Sequence, residues 1–149
     1  MKNIKDYLFE AESDSLEKGM KVILCSGDEW PYPGPSREYE YKFTKVEVAE
    51  IEKVTTKSDY SLFYANSLRF IHNDPKYFGC DGDLDDEYAG NKDIASEYFV
   101  IAFRKETLQK LLDNNCVHKE NRNNGVVITY KYDFSKISKE DLDAAIKEA

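Results

Sequence analysis

The sequence predicts an α+β fold. It has an N-terminal helix over residues 1–17, a bent antiparallel β-region over 18–93, and a strand–helix–strand–helix stretch over 94–149. Three observations carry this. Residues 38–44 alternate strictly, placing Tyr39, Tyr41 and Phe43 on one face, as a half-buried strand requires. Residues 97–103 are almost continuously apolar, the mark of a strand covered on both faces. Near the C-terminus, Ser138 precedes Leu142, Ala145 and Ile146 at helical spacing. At 149 residues the chain suits a single compact domain.

Taken in order, residues 3–17 place Ile4, Leu8 and Ala11 on one helical stripe, and Lys18-Gly19 ends it. Residues 19–25 form a β-branched apolar run and read as a strand. Residues 26–37 hold three prolines in five residues, which excludes a helix or a central strand and makes a loop. That loop carries the only tryptophan, Trp30, beside Tyr32. Val46, Val48, Ile51 and Val54 predict a long strand bent by one or two bulges. A hairpin follows, turning at Asn66-Ser67.

After the strand at 97–103, Leu108, Leu111 and Leu112 mark a helix over 106–114. The Asn-rich residues 116–125 read as a loop, and 126–132 as the next strand. Ser138 then caps the last helix with Asp141 three residues on, between the staple residues Ile137 and Leu142. The Gly-led first strand, the long loop, the long bent strand and the hairpin resemble small SH3-like barrels over residues 18–80. The resemblance implies a small barrel there.

The formal net charge is −8, and the whole surplus lies before Ile94. Such a chain repels a phosphate backbone, so direct nucleic-acid binding is disfavoured and a basic protein surface is the better partner. The tyrosine strand with Lys42 and Lys45 offers stacking faces for bases, but Glu38, Glu40 and Glu47 oppose it. Three cysteines with no C-x-x-C spacing predict reduced thiols and a cytoplasmic setting. No apolar run approaches the roughly 20 residues of a membrane span.

The densest charge is at Asp81, Asp83, Asp85, Asp86 and Glu87, in the loop over 79–90 that joins the two halves. The alternating aspartates start like a calcium loop, but its sixth and twelfth positions are Asp86 and Lys92 rather than Gly and Glu. The expected role is instead an acidic face for a basic partner, with Trp30 and Tyr32 as aromatic contacts. Cys25, Cys80, Cys116 and His118 lack structural zinc spacing, so no metal or cofactor is expected. His72 and Cys80 are the candidates for a Cys–His pair, and nothing in the sequence fixes their distance. No phosphate-cradling glycine motif is present. No catalytic residue is assigned.

The start Met1-Lys2-Asn3-Ile4-Lys5-Asp6-Tyr7-Leu8-Phe9-Glu10-Ala11 resembles the short leaders of internal proteins of tailed bacteriophages. Such leaders are cut after a Leu/Ile-x-Glu triplet, which Leu8-Phe9-Glu10 matches. The resemblance implies a phage origin, with residence in the bacterial cytoplasm or packaging in a virion. Together these readings give the expectation of a non-enzymatic acidic protein that inhibits a host protein by occupying a basic surface. A virion internal protein, a toxin-immunity protein and a small metal-dependent hydrolase are the alternatives.

Overall fold

The structure, a computed structural model, describes residues 15–31, 37–85 and 99–149. The expected helix over 1–17, with its leader-like triplet, lies outside them except for residues 15–17, which are irregular. Tyr32, Asp86 and Glu87 also lie outside.

Six strands close a barrel: β1 (Lys21–Gly27), β3 (Lys45–Thr56), β4 (Ser61–Ala65), β5 (Leu68–His72), β6 (Gly82–Leu84) and β7 (Phe99–Phe103). Each pairs antiparallel with the next, and β7 closes the ring on β1. Closure leaves these strands without a free edge. A small barrel was expected over 18–80. The observed one reaches on to Phe103 and excludes residues 38–42, because β7 is the wall that closes it.

The excluded strand, β2 (Glu38–Lys42), belongs to a second sheet with β9 (Val127–Asp133) and β8 (Val117–Asn121). β2 runs parallel to β9, so Tyr39 lies opposite Tyr130 and Tyr41 opposite Tyr132. Those facing pairs stack, with centroids 5.7 and 5.2 Å apart. Offset aromatic stacking adds about 0.5–1.5 kcal/mol per pair beyond the area buried. Three helices complete the described residues: α1 (Pro75–Phe78), α2 (Lys105–Asp113) and α3 (Lys139–Glu148).

Two cores share one wall. Alternate residues of β1 and β7 divide between them: Val22, Leu24, Val100 and Ala102 point into the barrel with Phe63, Phe70 and Leu84. Ile23, Cys25, Phe99, Ile101 and Phe103 point outward, against Phe43, Tyr130, Tyr132 and the helices. This is why β7 reads as an unbroken apolar run: all five of its residues are buried. Leu16 packs with the barrel cluster, and Leu108, Leu111, Leu142 and Ala145 with the outer one.

Turn chemistry follows the sequence closely. Asn66 and Ser67 both have positive φ, 52° and 61°, as a two-residue hairpin turn with a primed geometry demands. The bend in β3 is one register shift, between Ile51 and Lys53. The change of parity from Val48 to Ile51 needs no bulge, since Val46 and Val48 pack on the outer core while Ile51 fills the barrel. Ser138 caps α3 through its Oγ, which accepts the Asp141 N–H at 3.1 Å.

Two segments read as loops are structured. Residues 82–84 form β6, whose backbone pairs with both β5 and β7. Residues 117–121 form β8, so the C-terminal order is strand–helix–strand–strand–helix. β8 is an outer strand held by β9 alone, which lets a polar sequence serve there. No described helix is long and apolar enough to cross a membrane.

Candidate functional site

The acidic stretch is tied into the fold rather than displayed. Asp81 is fully buried. Its Oδ2 accepts the Arg104 backbone N–H at 2.6 Å and its Oδ1 accepts Arg104 Nε–H at 2.8 Å. Its carbonyl accepts from Asn73 N–H at 3.0 Å and from His72 Nδ1 at 2.9 Å. A carbonyl only accepts, so Nδ1 carries the hydrogen. Asp85 pairs with Arg69, 2.9 Å from Nε and 2.7 Å from Nη2. Two of the five carboxylates expected at a contact face are therefore neutralised from within.

Asp83, in β6, lies opposite Ile101 of β7. Asn73 Nδ2–H donates to its Oδ1 at 2.6 Å and fixes the carboxylate's orientation. It lines a cleft of about 400 Å³ between the barrel wall and the second sheet. The other walls are mostly aromatic: Trp30, Tyr39, Tyr41, Tyr130 and Tyr132. Trp30, assigned from the sequence as an aromatic contact, thus shares one cleft with Asp83. Its ring lies 6.1 Å from that of Phe99.

Three tyrosine hydroxyls and one thiol of the cleft hold their protons more tightly than usual. Burial raises the Tyr41 and Tyr132 hydroxyls above their usual range, and Cys80 and Asp83 push the same way. Tyr132 Oη donates to the Phe78 carbonyl at 2.8 Å. Tyr130 is raised by burial and by its bond to Glu120, at 3.1 Å. Burial, then Asp83 and Asp81, raises the Cys80 thiol, so it stays protonated and is a poor nucleophile. His72, its expected partner, is bonded through Nδ1 to the Asp81 carbonyl. Cys25 is buried in the outer core and also raised by burial. Among the described residues no three His, Cys, Asp or Glu side chains converge as metal ligands would.

A carboxylate set among tyrosine and tryptophan faces suits a cation, through ion pairing and attraction to the ring faces. The sequence reading found Trp30 and Asp83 but missed Asn73, Tyr130 and Tyr132. The signal for the tyrosines was there. Tyr130 and Tyr132 alternate as Tyr39 and Tyr41 do, and two such strands in one sheet make one aromatic face.

Comparison with protein-family models, curated proteins and solved structures returns no match.

Proposed function

We propose that this chain is a non-enzymatic acidic binding protein, phage-encoded, that inhibits a host protein by occupying a basic surface. The cleft holding Asp83 and Trp30 receives a cationic side chain of that partner. One observation carries the reading: two residues far apart in sequence, each assigned to partner contact, line one aromatic cleft. The net charge of −8 supports it, since it draws in a basic partner and speeds encounter more than it deepens affinity. The resemblance of Leu8-Phe9-Glu10 to a phage leader supports the origin.

Trp30 is the only tryptophan, and it also borders a pocket lined by Glu29, Glu38 and Glu40, so the comparison with Asp83→Asn assigns a fluorescence change to the cleft. Titration with a short arginine-rich peptide should change that fluorescence saturably, and less so as salt is raised. The response should vanish in Asp83→Asn. An unchanged signal, or an equal response in Asp83→Asn, overturns the reading.

A further inference from the structure

The turn that joins β8 to β9 holds Asn124-Gly125, the one place in the chain where asparagine precedes glycine. Gly125 N–H donates to the Arg122 carbonyl at 3.0 Å, and Arg122 N–H donates to the Val126 carbonyl at 2.8 Å. Gly125 has φ of 80°, the left-handed residue that ends a three-residue hairpin loop. It leaves its own flank bare: a Cβ there would meet nothing within 4 Å. Residues 121–125 are all exposed, so water reaches the turn and its hydrogen bonds open easily.

The Asn124 side chain is folded back along this turn. Its Oδ1 accepts the Val126 N–H at 3.1 Å, a bond that spans Gly125 and holds the side-chain amide beside that residue. The same N–H is a donor already aimed at the oxygen on which charge would develop if a nucleophile added to the side-chain carbonyl carbon.

We propose that Asn124 is a site of spontaneous deamidation in the folded chain. When the Gly125 N–H bond to Arg122 opens, the backbone nitrogen gives its proton to hydroxide and adds to Asn124 Cγ. The bond from Cγ to Nδ2 then breaks, and Nδ2 takes a proton from water and leaves as ammonia. Water hydrolyses the resulting succinimide at either carbonyl, giving aspartate or isoaspartate with no change of oxidation state. Both products add a negative charge, and isoaspartate also puts an extra methylene into the backbone of the turn. β8 is paired with β9 alone, so that longer turn loosens the strand carrying His118 and Glu120. The site is independent of the proposed inhibitory function.

The fold withholds this reaction from the nearest rivals. At Asn66-Ser67, Nδ2 donates to Glu47 at 3.0 Å and the Ser67 N–H to Glu52 at 3.3 Å. At Asp81-Gly82, the carboxylate is fully buried on Arg104 and Gly82 is buried in β6.

The test incubates the full chain at neutral and mildly alkaline pH, then follows the tryptic peptides over 123–131 and 58–69 by mass spectrometry with fragmentation. Asn124 should lose its amide progressively, faster at the higher pH, and yield separable aspartyl and isoaspartyl peptides, while Asn66 stays intact. Asn124→Gln should abolish the change, because the longer side chain cannot form the succinimide. Hydrogen exchange of β8 amides should be faster in the isoaspartyl chain than in Asn124→Asp, which adds the charge alone. The proposal is overturned if Asn124 keeps its amide, if it reacts no faster than Asn66, or if it reacts only in denaturant. Equal β8 exchange in the two acidic forms overturns the loosening.

Discussion

Asp81 and Arg104 form a two-point contact: one carboxylate oxygen takes the arginine's backbone N–H at 2.6 Å and the other its Nε–H at 2.8 Å. The acid is fully buried and the arginine side chain 12% exposed. The pair joins the first residue of the acidic stretch to the start of α2. Removing one partner strands the other, and an unpaired buried charge costs about 3–5 kcal/mol. Arg104→Ala should therefore lower the urea midpoint strongly. Arg104→Lys should restore little of it, because an ammonium cannot reproduce the planar guanidinium's fixed geometry.

The aspartates divide between stability and binding. Asp83→Asn should stay within about 1 kcal/mol of wild-type stability, since the amide keeps an oxygen for Asn73, yet it should abolish the Trp30 response to arginine peptide. Asp85→Asn, in a partly exposed pair with Arg69, should cost about 1 kcal/mol or less and leave that response intact. Paired denaturation and fluorescence titrations separate the two roles.

Gly82→Ala should destabilise the barrel. A Cβ at that position would lie 2.5 Å from Phe63 Cε1 and 2.6 Å from its Cζ, inside a filled core. Overpacking of this kind costs about 1–3 kcal/mol. The added variant Phe63→Leu should recover part of the loss, so the double-mutant cycle should be non-additive. Additive costs would mean the Phe63 ring is not what Gly82 accommodates.

Alkaline stability follows from the tyrosines. Tyr41, Tyr130 and Tyr132 are raised in the folded chain, first of all by burial. A raised acid group binds its proton more tightly in the folded state. Its contribution is complete below the unfolded value, about 10, and is lost as pH climbs from there towards the folded value. The melting temperature should fall steeply above about pH 10. In an absorbance titration these three of the eleven tyrosines should ionise late, with unfolding.

Much of the fold was legible where local chemistry decides structure. The Asn66-Ser67 turn, the Ser138 cap and the continuous apolar run of β7 each follow from neighbouring residues alone. β6 and β8 were not legible, because their strand character comes from backbone pairing with distant partners rather than from their own side chains. The site failed in the same way. A run of aspartates looks solvated in sequence, and nothing near Asp81 announces that Arg104, 23 residues on, buries it. Trp30 and Asp83 were legible singly, but their shared cleft depends on a sheet that brings residues 39–41 beside 130–132.

Because β1 and β3–β7 close on themselves, the open backbone edges among the described strands belong to the second sheet, at β2 and β8. Edges decide whether a protein polymerises. Along β2 the solvent side carries Glu38 and Glu40 before Lys42. A second copy of β2 laid antiparallel about Glu40 would set Glu40 against Glu40 at the centre, where facing like charges destabilise, and Glu38 against Lys42 on either side, where opposite charges attract. Charge along this edge thus disfavours one facing pair and favours two, so it selects the register in which a strand can add rather than forbidding addition.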